Sequence, residues 1–123
     1  MMTIVKNNFP KKGEIWLLRN SERIKELKKD YRPVLIISND ERNEYDDSVV
    51  VVPTTTDDLE NILPVEVFID NTSETGLDYP SKILCDSPFT WNKEIRFERK
   101  LGTADKETME QVKKAWSLAF IWE

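Results

Sequence analysis

The chain has 123 residues, 39% of them hydrophobic and 33% charged, which favours one globular domain spanning residues 1–123. Its net charge of −5 disfavours broad, nonspecific binding to nucleic acid. The sequence has no histidine, and Cys85 is its only cysteine, which excludes an intrachain disulfide, a Ser-His-Asp triad and a cysteine-based zinc site. Any catalysis must therefore use arginine, lysine, carboxylates, hydroxyls or backbone dipoles.

No stretch of the sequence is apolar over the length that spans a membrane. The first residues, MMTIVKNNFPKKGE, lack the apolar core of a signal peptide. We therefore expect a cytoplasmic protein without membrane association.

Short apolar runs predict five strands, at residues 15–18, 33–38, 49–52, 64–69 and 81–86. Pro33 suits the first residue of the second strand, because proline cannot donate a ladder hydrogen bond. Pro53 is expected to end the third strand. Residues 39–47 are rich in turn formers and predict a loop. Residues 89–91 predict a turn or short strand that exposes Trp91, and residues 94–100 predict an exposed strand or helical turn.

The last segment has a helical period, because Met109, Val112, Trp116 and Ala119 recur at spacings of three and four. We expect a helix over residues 105–120, capped by Thr103 or Asp105. Short strands followed by one amphipathic helix predict a small, partly closed antiparallel barrel with the helix packed on it. Cys85, inside an apolar run, is expected to be a buried small hydrophobe.

Several segments, taken in order, resemble the MazF/PemK (Kid) family of toxins. They are KGEIW at 12–16, RPVLIISND at 32–40, VVVVPTT at 49–55, Gly76-Leu77 followed by ILCD at 83–86, and Leu101-Gly102 before the helix. Each piece is common by itself. Their order and spacing are specific, and the resemblance covers nearly the whole chain.

The resemblance implies an SH3-like antiparallel β-barrel with a C-terminal helix, and a homodimer. It implies an endoribonuclease that needs no metal or cofactor, cleaves single-stranded RNA by attack of the 2′-hydroxyl, and is neutralised by a cognate antitoxin. The family's active-site arginine and threonine correspond to Arg32 and Thr55, which would face each other across the ends of adjacent strands.

This assignment suits the chemistry of Arg32. A guanidinium offers two parallel donors that match phosphate oxygens, and it stays protonated at any working pH, which makes it a poor general base. Arg32 is therefore expected to stabilise the charge on the reacting phosphate and to deliver a proton. The Thr55 hydroxyl would donate to or orient the phosphate, with Thr54 and Thr56 as flanking RNA-binding residues.

The loop before Arg32 departs from the family pattern, because residues 22–31 (ERIKELKKDY) contain no glycine and Leu27 stands where the family has a glutamate. Glu26, beside it, is the candidate catalytic carboxylate. The segment from Arg19 to Arg32 is also a local basic patch on an acidic chain. Its lysines, expected to contact RNA phosphates, are Lys25, Lys28 and Lys29.

Two other functions fit the same fold class. One is a CcdB-like poison of DNA gyrase that acts by protein binding through its C-terminus, since this chain ends Ile121-Trp122-Glu123. The other is a non-catalytic SH3-like interaction module, which the departure in the loop before Arg32 would favour. A solvated loop also remains the simpler interpretation of the basic segment.

Overall fold

The computed structural model describes residues 9–19, 31–92 and 97–122, which contain seven strands and two helices. The strands are β1 Glu14–Arg19, β2 Tyr31–Ile36, β3 Ser48–Thr55, β4 Glu66–Ile69, β5 Ser81–Leu84, β6 Phe89–Asn92 and β7 Phe97–Thr103. The helices are α1 Asp40–Tyr45 and α2 Lys106–Ala119.

The strands form an antiparallel sheet in the order β4-β5-β3-β2-β1-β7, and β6 pairs with the first half of β3. Every strand pair in it is antiparallel. The predicted fold class, an antiparallel β structure with a C-terminal helix, is confirmed. The predicted barrel is open, because β4 and β7 do not pair with each other in the part of the chain that the structure describes.

Side chains from alternate positions of the central strands build two hydrophobic clusters, because successive residues of a strand point to opposite faces. Ile15, Leu35 and Val52 join the cluster covered by Val112 and Ala115 of α2. The second cluster lies on the other face, and its buried members are Leu18, Val34, Ile36, Val49, Val51 and Trp91. Burial on both faces explains why β3 reads as an uninterrupted β-branched run.

The predicted C-terminal helix is confirmed as α2. Its N-cap is Asp105, whose carboxylate accepts a 2.8 Å hydrogen bond from the Thr108 N–H. Val112 and Ala115 are each 3% exposed and face the sheet. The helices of the described residues are too short or too polar to cross a membrane.

The structure corrects the prediction of a loop over residues 39–47, because α1 lies within it. Asn39 accepts a hydrogen bond from the Arg42 N–H and caps the helix. Buried Asn43 donates to the Ser38 carbonyl at 2.9 Å. These side-chain bonds hold a short polar helix that the composition alone does not reveal.

The prediction that Pro53 ends the third strand is also wrong, since β3 continues to Thr55. On one edge of β3, β6 pairs with Ser48–Val51 and β5 pairs with Thr54 and Thr55. Pro53 therefore lies between two partner strands, where a missing N–H removes no ladder bond along this edge.

The prediction of a buried Cys85 is confirmed, and the prediction of an exposed Trp91 is wrong. Cys85 is fully buried, and burial raises the pKa of its thiol to about 12. Trp91, expected to be exposed, is 6% exposed in β6. Its ring meets Phe89 edge-on, with centroids 6.1 Å apart, because β6 turns this residue into the second cluster.

Two of the chain's three glycines allow residues 70–80, the segment between β4 and β5, to dock onto β7. These residues are called the docked segment. Gly76 has a φ of +70°, and a Cβ there would lie 2.0 Å from the Leu101 carbonyl oxygen. A Cβ on Gly102 would lie 2.2 Å from the Glu74 carbonyl oxygen. The Thr103 N–H donates to that same Glu74 oxygen at 2.8 Å, so the backbones meet at distances that only glycine permits.

We predict that Gly102→Ala destabilises the fold by about 1–3 kcal/mol, as overpacking of a close contact typically does. Urea denaturation followed by circular dichroism measures the change. Ser73→Ala, at an exposed position of the docked segment, is the matched control and should change stability by less than about 0.5 kcal/mol. Equal midpoints for the two variants would show that the close approach is not tight in solution.

Candidate active site

A cleft of about 320 Å³ opens where the ends of β2 and β3 meet the docked segment and β7. Its walls come from residues far apart in the sequence: Leu17, Tyr31, Arg32, Pro33, Thr54, Thr55, Thr56, Asp57, Gly76, Leu77, Asp78, Tyr79, Ser81, Arg99 and Leu101. The cleft therefore combines cations, hydroxyls, carboxylates and two tyrosine rings.

The pairing of β2 with β3 brings Arg32 and Thr55 together. Val34 lies opposite Pro53 in this antiparallel pair, and the same register continued by two residues puts Arg32 opposite Thr55. Both residues line the cleft. The structure thus brings together the two residues that correspond to the family's arginine and threonine.

Arg32 is a buried cation, 9% exposed. Its Nη1 donates to the carbonyl oxygen of Thr54, while its buried Nε has no hydrogen-bond partner among the described residues. Burial lowers the pKa of the Arg32 guanidinium, and the charge of Asp57 acts in the opposite direction. A desolvated guanidinium with an unused donor is a site that an anion would stabilise.

The three threonines of this segment have different surroundings. Thr54 is buried, and its hydroxyl donates to the Pro33 carbonyl at 2.9 Å, which ties β3 to β2. The Thr55 hydroxyl accepts from the Asp57 N–H at 3.1 Å, so its own hydrogen can donate to a ligand. Thr56 is exposed on the cleft wall.

Buried Lys82 fixes the turn that follows the threonines. Its backbone lies opposite Thr55, and its ammonium donates to the carbonyls of Asp58 and Asn61 at 3.0 and 2.9 Å. It also pairs with the Glu66 carboxylate at 2.9 Å. All three of its donors are used, so Lys82 is a structural residue that supports the wall of the cleft.

Sequence reasoning missed several residues that line the cleft: Tyr31, Asp57, Asp78, Tyr79 and Arg99. Asp57 directly follows the threonines in the sequence, but a carboxylate in a polar turn carries no specific signal for a site. Tyr79 and Arg99 carry no local signal, because they reach the cleft only through the docking onto β7 and the pairing of β7 with β1. The predicted residues Glu26, Lys25, Lys28 and Lys29 lie outside the described residues.

Within residues 9–19, 31–92 and 97–122, no group of three or more cysteine or carboxylate side chains is arranged to hold a metal ion. Two guanidinium groups, Arg32 and Arg99, line the cleft with the Thr55 hydroxyl, and two carboxylates, Asp57 and Asp78, lie on the same walls. The guanidinium groups and the hydroxyl can donate hydrogen bonds to an anion.

An open antiparallel sheet, a C-terminal helix and a cleft with a buried arginine beside a threonine define a class of small β proteins. A family model described as "PemK-like, MazF-like toxin of type II toxin-antitoxin system" matches residues 11–120. The chain belongs to this toxin family, and the resemblance seen in the sequence is confirmed.

Solved structures share this fold. An endoribonuclease from a mycobacterial species, in complex with its cognate antitoxin, has a TM-score of 0.73 at 25% identity, covering 93% of this chain and 99% of that one. The Mycobacterium tuberculosis toxin MazF-mt6 has a TM-score of 0.72 at 24% identity, covering 89% and 98%.

A MazE-MazF complex from Deinococcus radiodurans has a TM-score of 0.72 at 18% identity, covering 94% of this chain and 98% of that one. Likenesses below 25% identity show the fold alone. No curated protein matches the chain by sequence.

We predict that Lys82→Met destabilises the fold by about 3–5 kcal/mol, because it leaves the Glu66 carboxylate buried without its partner. The midpoint of urea denaturation measures the loss. Lys100→Met is the matched control: Lys100 pairs with Glu14 at 3.1 Å but is 46% exposed, and its loss should cost no more than about 1 kcal/mol. Similar losses in the two variants would contradict a structural role for the buried pair.

Proposed function

We propose that this toxin is an endoribonuclease that cleaves single-stranded RNA by attack of the 2′-hydroxyl on the adjacent phosphate, without a metal ion. The observation that carries the proposal is Arg32, nine-tenths buried in the cleft with an unused donor and with Thr55 beside it. Membership of the toxin family and an endoribonuclease at 25% identity support it.

Arg32 has the role of stabilising charge. In the reaction the 2′-oxygen bonds to phosphorus, the bond to the 5′-oxygen breaks, and a cyclic phosphate remains on the first fragment. Negative charge grows on the phosphate oxygens meanwhile, and a guanidinium held by the Thr54 carbonyl meets it without reorganising. The lowered pKa of Arg32 also favours giving a proton to the departing 5′-oxygen.

The Thr55 hydroxyl is assigned to orient the phosphate by donating a hydrogen bond. Thr54, whose hydroxyl is bonded to the Pro33 carbonyl, positions the strand rather than donating to RNA. Thr56, exposed on the cleft wall, remains a candidate RNA contact. Lys25, Lys28 and Lys29 are proposed to contact RNA phosphates along the strand.

The general base is assigned to a carboxylate. Glu26 is the candidate from the sequence, and Asp57, whose charge acts on Arg32, is the candidate from the cleft. Either would take the proton of the 2′-hydroxyl.

We predict that Arg32→Ala slows cleavage by about 10²–10³-fold, as removal of one preorganised donor does. Thr55→Ala should lose much of the activity. The loss of cleavage rate in the double variant should be smaller than the product of the two single losses, because both groups act on one phosphate. Cleavage of mixed-sequence single-stranded RNA in EDTA, read as discrete fragments ending in cyclic phosphate, is the assay.

Glu26→Gln and Asp57→Asn distinguish the two candidates for the general base. Only the variant that lacks the base should lose the acidic limb of the pH profile of the cleavage rate.

Arg42→Ala is the matched control, because Arg42 lies on α1 and is 44% exposed. Arg32→Lys keeps the positive charge but loses the two parallel N–H donors of the guanidinium. Its cleavage rate should therefore stay well below that of the parent. Because Arg32 is buried, each variant's denaturation midpoint is measured as well. Cleavage by folded Arg32→Ala at the parent's rate would overturn the assignment.

The same assay addresses the alternatives. Intact RNA together with stabilised gyrase–DNA complexes would indicate a gyrase poison, and intact RNA without them an interaction module. The family match over residues 11–120 favours the ribonuclease. Ile121 and Trp122, which are 64% and 95% exposed, follow the matched region.

The proposed partners are a second copy of the chain and a cognate antitoxin, in the cytoplasm. The family model, which describes a toxin of a type II toxin-antitoxin system, and the structure of a related endoribonuclease with its cognate antitoxin support the antitoxin. Exposed apolar side chains at the end of α2 suit a protein partner: Leu118, Phe120, Ile121 and Trp122.

We predict a dimer in sedimentation velocity at micromolar concentration. We also predict that the toxin loses RNA binding when purified antitoxin is titrated into the complex. Competition is expected because acidic antitoxin side chains and RNA phosphates would use the same cations. A monomer would contradict the homodimer. Independent, simultaneous binding of antitoxin and RNA would contradict the shared surface.

A further inference from the structure

Tyr79 places an aromatic ring on the wall of the cleft. Its side chain is 69% exposed and has no ring contact or hydrogen bond within the described ranges. Its backbone is fixed, since its carbonyl accepts from the Ser81 hydroxyl at 3.0 Å and neighbouring Leu77 is buried. The ring is thus presented to solvent by an anchored segment.

Arg99 places a second cation in the same cleft. It lies on β7 opposite Leu17 of β1. Its neighbours on β7 are already paired, Glu98 with Arg19 at 3.0 Å and Lys100 with Glu14 at 3.1 Å. Arg99 itself has no ion pair or hydrogen bond to another described side chain, so its guanidinium is available to a ligand.

From this juxtaposition we propose that Tyr79 and Arg99 form a second subsite, which binds the nucleotide next to the scissile phosphate. Tyr79 stacks on the unpaired base, and Arg99 pairs with that nucleotide's own phosphate. The inference rests on the proposed function and adds residues that hold the substrate rather than react with it.

The two roles follow from the chemistry of single strands. An aromatic ring stacks on any base, because every base has a π-face, and it needs the base to be unpaired. A guanidinium matches a phosphate with two parallel donors. With Arg32 on one phosphate and Arg99 on the next, a single strand would be held at two successive points.

The test separates binding from cleavage. A fluorescein-labelled, mixed-sequence RNA octamer with 2′-O-methyl groups cannot undergo the attack, so its anisotropy titration between 50 and 200 mM KCl reports affinity alone. Tyr79→Ala should weaken binding about tenfold, as loss of one stacked base does. Tyr79→Phe should bind within about twofold of the parent, because the ring remains.

Arg99→Ala should reduce the slope of log affinity against log salt by about 0.7, the value for one phosphate of a single strand. A set of octamers is also made in which the abasic position moves along the strand. In one of them the missing base is the one that Tyr79 stacks on, so the parent and Tyr79→Ala should bind that octamer equally. Tyr45→Ala and Arg42→Ala are the matched controls, as exposed residues of α1, and should bind like the parent.

Parent-like affinity of Tyr79→Ala, or an unchanged salt slope of Arg99→Ala, overturns the subsite. Unchanged RNA affinity with weakened antitoxin binding would assign this surface to the protein partner and overturn it too. Cleavage of the unmodified octamer is measured in parallel. A parent that binds the analogue but leaves RNA intact refutes the ribonuclease and not the subsite, whereas a parent that binds no octamer refutes both.

Discussion

The cleft depends on the register between β2 and β3. Two bonds at the ends of these strands fix it, one from the Thr54 hydroxyl to the Pro33 carbonyl and one from Arg32 to the Thr54 carbonyl. A slip of one residue would turn every side chain of a strand to the other face, which would bury Thr55 differently and remove Arg32 from the cleft. The valines of β3 fill both hydrophobic clusters, and this uniform run would still offer valines to both faces after such a slip. The two bonds at the strand ends therefore help to select the register that forms the cleft.

Holding Arg32 in this position opposes stability. A guanidinium that is largely withdrawn from water, with an Nε that has no partner among the described residues, costs free energy that an anionic ligand would offset. The surrounding fold supplies the rigidity that keeps it there. Lys82 holds the turn after Thr55 through its hydrogen bonds to the Asp58 and Asn61 carbonyls. The close contacts at Gly76 and Gly102 hold the opposite wall of the cleft against β7. A site whose supports are themselves buried and hydrogen-bonded is preorganised for its ligand.

The sequence predicted the helix and most strands because their signals are local. Met109, Val112 and Trp116 repeat at a helical period, and the valines of β3 can only fit a strand buried on both faces. Local signals failed at Pro53, at residues 39–47 and at Pro33, which lies inside β2 opposite Leu17 rather than at its first residue. Whether a proline ends a strand depends on which partners lie beside it, and α1 is held by a cap and by a contact with Ser38, both of which are weak in sequence.

Residue order along the chain predicts the antiparallel β class and the C-terminal helix, and the resemblance of several segments to the toxin family singles out Arg32 and Thr55. The folded chain is needed to show that Arg32 is desolvated, that Lys82 supports the turn, and that Tyr79 and Arg99 share the cleft with Arg32. The reason is physical. Burial and the meeting of distant segments come from the packing of β7 against β1 and of the docked segment against β7, and no short stretch of sequence encodes contacts between segments so far apart.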